Sequence, residues 1–351
     1  MEDYVKIDLR REELSYSGRI DRKNPERPVF VFPATSLSFR FIGRAALLRV
    51  TNRRNYWKNV LGAIVDGVQK RFDLNDEGET LIRLLEAREE GEHDVLLFKR
   101  MDGCHELTIE SLELSEGSRL LPPPEKPKRR MEVYGDSVSA GEVSEAVEYV
   151  GREDPVHNGE FSNSWYSYGW ITARMLNAQY HAVAQGGIAL MDGEGWFHEP
   201  DYLGMESVWD KIHYNPSFGE ITPWDFSDYI PQVVIVAIGQ NDAHPDNYMK
   251  EDYNGEKAQR WRKHYALFLA RLRGKYPEAH IICCTTLLNH DASWDCAIEQ
   301  VCRELEDESV SHCLFRRNGR GTPGHLRIPE AEEMARELAD YIESLHVAGW
   351  E

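Results

Sequence analysis

The chain has 351 residues, of which 41 % are hydrophobic, 11 % aromatic and 29 % charged, a composition that excludes a disordered chain and supplies apolar material for about two domains. Its 60 acidic and 41 basic residues give a formal net charge of −19, which repels a phosphate backbone or an anionic lipid surface, so neither nucleic acid nor membrane is expected as a partner. The start, MEDYVKIDLRREEL, has no basic or apolar signal region, and no apolar stretch nears the roughly 20 residues that span a bilayer; a cytoplasmic protein is expected.

In chain order, the first elements are short. PVFVFP (28–33), SLSFRFIG (36–43), ALLRVTN (46–52), GAIVDGVQKRFDL (62–74), HDVLLFKR (93–100) and HELTIESLEL (105–114) alternate or run apolar between turn residues, without a helical period. That pattern predicts an antiparallel sandwich of the jelly-roll kind. At LPPPEKPKRR (121–130) three consecutive prolines forbid helix interior and central strand alike, which marks a boundary between domains 1–125 and 126–351. The pattern then changes. MEVYG (131–135), YHAVA (180–184), PQVVIVAIG (231–239) and HIICCTTLL (280–288) read as strands. Helical spacing relates Trp165, Ile171, Met175 and Leu176, then Trp261, Tyr265, Phe268 and Leu272, and last Met334, Leu338, Ile342 and Leu345. Apolar strands alternating with amphipathic helices predict a parallel sheet covered on both faces, with ligands bound beyond the carboxyl ends of its strands. The six cysteines form no C-x-x-C pair and read as free buried thiols.

The residues after each strand define the chemistry. Asp136-Ser137 follows the first strand of the second half, Gln185-Gly186-Gly187 the next and Gln240-Asn241-Asp242 the third, while Gly321-Thr322-Pro323-Gly324-His325 precedes the final helix. Acyl transfer needs a hydroxyl nucleophile, an imidazole to take its proton and donors aimed at the developing oxyanion. Ser137 is the candidate nucleophile and His325 the candidate general base. The Ser137 N–H, the N–H of Gly186 or Gly187 and the Asn241 amide are the candidate oxyanion donors.

These residues, Tyr134-Gly135-Asp136-Ser137 with Gly239-Gln240-Asn241-Asp242 and a late histidine, resemble the GDSL/SGNH hydrolases. Arg119 to Pro124, Asn55 to Asp66, His93 to Arg100 and Ser164 to Ala184 extend the resemblance over nearly the whole chain, to carbohydrate esterase family 2. It implies a jelly-roll β-sandwich followed by an SGNH-hydrolase three-layer α/β/α domain, with Ser137 as nucleophile, Gly187 and Asn241 as oxyanion donors and His325 as base. The family often has an acid two residues before the histidine, and SGNH enzymes at large have one three before; here Pro323 and Thr322 stand there. A Ser-His dyad is therefore expected, its imidazole held by a backbone carbonyl.

Trp196, Trp209, Trp224 and Trp294 fall in stretches read as loops, and a flat ring can stack on a pyranose. Trp294, in NHDASWD, is the preferred sugar platform, and Asp136 is the second candidate substrate-binding residue. The acidic stretch from Glu142 to Glu160 is solvated surface or a loop bordering the pocket. His213, His244, His290, His312 and His325 show no metal-ligand spacing, so neither metal nor organic cofactor is expected. The implied activity is removal of O-acetyl groups from hemicellulose oligosaccharides, mannan- or xylan-derived. The rival readings are an SGNH lipid esterase or thioesterase and a non-catalytic carbohydrate-binding protein.

Overall fold

The computed structural model describes residues 3–198, 201–318 and 320–350. Among these residues the first sheet is antiparallel and holds ten strands: β1 (Tyr4–Ile7), β2 (Ser15–Ser17), β3 (Ile20–Asp21), β4 (Val29–Phe30), β5 (Ser36–Arg54), β6 (Val60–Val65), β7 (Val68–Asp73), β8 (Glu79–Lys99), β9 (His105–Ser115) and β10 (Arg119–Leu121). Its spine is β5, paired with β8 along one side and β9 along the other, with register shifts near Gly43 and Arg49 where the long strand bends. The sheet curls over its own core of Phe39, Phe41, Leu48, Leu97, Ile109 and Leu112. Two predicted segments, 36–43 and 46–52, are thus one strand, and 93–100 is the end of a longer one. The first half of β8, outside the predicted segments, buries Ile82 and Leu84 while Leu81, Arg83 and Glu86 face solvent.

The second sheet is parallel, in the order β12-β11-β13-β14-β15, from β11 (Arg129–Gly135), β12 (Ala178–Ala184), β13 (Val233–Ala237), β14 (His280–Cys283) and β15 (Val310–His312). Among the described residues seven α-helices accompany it: α1 (Ser137–Ala140), α2 (Tyr168–Met175), α3 (Met205–Val208), α4 (Tyr248–Glu251), α5 (Glu256–Lys275), α6 (Ser293–Glu304) and α7 (Ile328–Ser344). Period-two alternation divides β13 between two cores. Val234 and Val236 pack with Trp261, Tyr265 and Phe268 of α5, while Val233, Ile235 and Ala237 pack with Tyr168 and Ile171 of α2 and Met334 and Leu338 of α7. Three layers follow. No helix among the described residues is long and apolar enough to cross a membrane.

Neither core belongs to the second sheet alone. Val31, Phe32 and Cys104 enter one, and Ala34 and Phe98 the other. Arg19 crosses the same seam fully buried, paired with Glu132 at 3.1 Å and donating to Tyr134 Oη (2.8 Å) and the Trp209 carbonyl (2.6 Å). Five of the six free cysteines are buried as expected, but Cys296 is exposed.

Candidate active site

Register builds the site. Gly135, the last residue of β11, pairs with Ala184 of β12 and Ala237 of β13, so three strands end level and their following residues gather at one edge. The strand order steps from β11 to opposite sides there, the switch point at which open α/β sheets bind ligands. A cavity of about 640 Å³ opens at that edge. Ser137, Gly186, Gly187, Asn241 and His325 all line it, so the structure brings together the residues picked out at the strand ends.

Ser137 is the first residue of α1, directly after its N-cap Asp136, whose side chain accepts the Val138 N–H at 3.0 Å. No hydrogen bond joins Ser137 to His325 among the described residues, although both side chains border the same space; in resting serine hydrolases such contacts are commonly long and tighten with substrate.

His325 is held by a side chain rather than the expected backbone carbonyl. Its Nδ1 lies 2.6 Å from Asp154 Oδ2, and Arg327 Nη1 lies 2.8 Å from the other carboxylate oxygen. Burial alone would raise the Asp154 pKa, but the hydrogen bonds to His157 and His325 and the Arg327 charge hold it well below the carboxylate range. The expected dyad is therefore replaced by an Asp154-His325 pair. Thr322, where an acid was sought, accepts the Gly151 N–H at 2.7 Å and so ties down the loop that carries Asp154. His157, also missed, packs between Trp57 and His325, with ring centroids 5.5 and 5.1 Å away, and its Nε2 lies 3.2 Å from Asp154 Oδ2. An Asp-x-x-His within the acidic stretch was the one signal for these two residues.

The glycine pair divides by function. Gly186 donates its N–H to Asp102 Oδ2 at 2.8 Å and cannot also serve an oxyanion. Gly187 has φ +72°, a backbone state glycine adopts freely, and its N–H has no protein partner among the described residues. Asn241 Nδ2 touches Asp136 Oδ2 and the Ile188 carbonyl, each at 3.0 Å, which fixes its amide at the cavity wall; an oxyanion would share one of those hydrogens.

Two substrate-binding expectations are corrected. Trp294 is 1 % exposed, because NHDASWD runs into α6 and the helical spacing of Trp294, Ala297, Ile298 and Val301 turns the ring into the core. Its indole N–H donates to Asn247 Oδ1 at 3.1 Å. Asp136 is equally enclosed and faces protein, accepting from Gln240 Nε2 at 2.6 Å as well as from Asn241; burial pushes its pKa up to about 7 against these hydrogen bonds. The aromatic residue open to ligand is Trp196, 60 % exposed at the cavity and stacked on His244 with centroids 3.4 Å apart. Trp209 and Trp224 are buried. Tyr56 and Trp57, between β5 and β6, also line the cavity, so the first half of the chain contributes directly to the site.

A family model described as carbohydrate esterase 2 N-terminal matches residues 16–124. The cellulase/esterase CelE of Acetivibrio thermocellus is 28 % identical over 300 residues, 85 % of this chain and 33 % of that protein, so the chain spans about a third of this relative's length. An acetylxylan esterase / glucomannan deacetylase of Cellvibrio japonicus is 27 % identical over 336 residues, 93 % of this chain and 87 % of that one. A solved structure of a family two carbohydrate esterase from Clostridium thermocellum, in complex with cellohexaose, superposes with a TM-score of 0.79 at 26 % identity, covering 94 % of this chain and 98 % of the other.

Proposed function

We propose that the chain is a serine esterase of the carbohydrate esterase family 2 kind, removing O-acetyl groups from xylan- or mannan-derived oligosaccharides, a reading that the match over residues 16–124 and the two curated relatives support. The observation that carries the reading is the cavity that Ser137, Gly187 and the Asp154-His325 pair line together. Ser137 Oγ attacks the acetyl carbonyl and His325 Nε2 takes its proton. The charge forming on the carbonyl oxygen is received by the Ser137 and Gly187 N–H groups with the Asn241 amide. Collapse breaks the ester bond, and His325 returns the proton to the departing sugar oxygen. Water activated by His325 then attacks the acetyl-serine and releases acetate.

Asp154 in contact with His325 supports catalysis over a binding-only role, whose sequence support was the missing acid. The buried free thiols favour a reducing compartment, and a cytoplasmic enzyme acting on imported oligosaccharides is part of the same proposal, checked by assaying cell fractions. Acetate release from defined acetylated xylo- and manno-oligosaccharides, followed by NMR, tests the central reading. Activity in the native chain that disappears in Ser137→Ala is expected. Retained hydrolysis in that variant, or a preference for octanoyl over acetyl nitrophenyl esters, would overturn it.

A further inference from the structure

The Gly186-Gly187 turn rests on a carboxylate supplied by the first half of the chain. Asp102, between β8 and β9, is completely buried. Its Oδ2 accepts the Gly186 N–H at 2.8 Å and Gln185 Nε2 at 2.9 Å, and its Oδ1 accepts the Cys104 N–H at 3.2 Å. The Gln185 carboxamide donates onward to the Gly186 carbonyl at 3.0 Å and accepts from Tyr214 Oη. On the far side, Gly103 donates its N–H to the Ala184 carbonyl at 3.2 Å, so the loop meets the end of β12 at two consecutive peptides. Contact is close enough that a Cβ on Gly186 would fall 2.6 Å from Asp102 Oδ2 and 2.0 Å from Glu142 Oε1.

A peptide N–H bound by a buried carboxylate cannot rotate without breaking a charge-assisted hydrogen bond in a low-dielectric setting. Fixing the Gly186 amide fixes the backbone leading into Gly187, where glycine has no side chain to restrain it and the remaining holds are the Gln185 amide on the Gly186 carbonyl and the Trp196 and Phe197 N–H groups on the Gly187 carbonyl. We propose that Asp102 is a positioning residue for the oxyanion hole: it locks the Gly186 peptide from below and so holds the Gly187 N–H toward the cavity. The first half then serves the reaction through the backbone of the second, beyond adding Tyr56 and Trp57 to the wall.

The kinetic consequence rests on the esterase reading, but the hydrogen bond does not. Gln185-Gly186 is the one Gln-Gly pair in the sequence, so labelling with ¹³C-carbonyl glutamine and ¹⁵N-glycine isolates the Gly186 amide in the full-length protein. In the native protein this amide proton is expected downfield of the other glycines and slow to exchange. Free exchange with solvent would overturn the proposal even if Asp102 variants failed to fold, and would do so whether or not acetyl esters are hydrolysed. In Asp102→Ala the resonance should move upfield, and kcat on nitrophenyl acetate should fall by about 10²-fold with KM changed less than about twofold, the range for loss of one oxyanion donor. Asp102→Asn keeps an acceptor for the Gly186 N–H and should recover at least tenfold of that loss. A folded Asp102→Ala protein with native kcat, or an Asn variant no better than the Ala variant, would also overturn it. Native protein inactive on every acetyl ester would sink the esterase reading and leave the amide measurement to decide the role of Asp102.

Discussion

Asp154 and His325 stand 171 positions apart in the chain and 2.6 Å apart in space, an acid and a base joined only by tertiary structure. Burial pushes the His325 pKa below its ordinary 6.5, and the Asp154 charge pulls it partly back. In the proposed mechanism His325 works as neutral imidazole, so kcat/KM is expected to be flat near neutrality and to fall on acidification through an inflection below 6.5. Asp154→Asn removes the charge that favours imidazolium. Its inflection should move further to acid and its kcat should drop by up to about 10⁴-fold, the loss for the aspartate of a serine-protease triad. A pH–rate profile on nitrophenyl acetate reads both, and an unshifted inflection with native kcat would contradict the pairing.

Trp196 and Trp294 separate ligand contact from core packing. Trp196→Ala should raise KM for acetylated oligosaccharides several-fold while leaving KM for nitrophenyl acetate near native, since a small ester does not need the platform. Trp294→Ala removes a buried ring that packs on Trp261 and Tyr248, and should destabilise the fold by about 3–5 kcal/mol in urea denaturation with KM unchanged. The opposite pattern would restore Trp294 to the sugar.

Asp136→Asn tests how Asn241 is held. The carboxylate accepts from both the Gln240 and Asn241 amides, and an asparagine amide turned toward them would set donor against donor. The expected result is a kcat loss of about 10²-fold with little change in KM, because one oxyanion donor is displaced. Native kcat in a folded variant would show that Asn241 needs no such support.

Much of this site could be read along the chain because strand ends announce themselves. An apolar run that stops at Gly135, Ala184 or Ile238 places the next polar residues at the sheet edge, which finds Ser137, Asn241 and the Gly186-Gly187 pair, while the choice of Gly187 over Gly186 needs the hydrogen bond from Gly186 to Asp102. Asp154 offered no such cue: it lies in an irregular acidic stretch whose approach to His325 depends on Thr322, Gly151 and Arg327. Trp294 was misplaced because its helix starts inside a run of turn-forming residues, where four or five positions are too few to reveal a period. Asp102 was hidden for another reason. A lone aspartate between two strands of one sheet carries no mark of the backbone it will meet in the other.

Arg19→Ala should cost about 3–5 kcal/mol, since it leaves the Glu132 carboxylate buried with two tyrosine hydroxyls, Tyr134 and Tyr276, and no cation. Urea denaturation monitored by tryptophan fluorescence measures it, and a change under 1 kcal/mol would mean that the carboxylate is protonated or solvated when the guanidinium is gone.

The apolar side chains Val31, Phe32, Ala34 and Phe98 seated in the two cores of the parallel sheet make the molecule a poor cassette. Severing it in the proline tract would leave greasy sockets on one fragment, matching plugs on the other, and a catalytic edge without its supporting loop. Swapping front halves between relatives should therefore succeed only when the plugs, Asp102 and the Tyr56-Trp57 turn travel together.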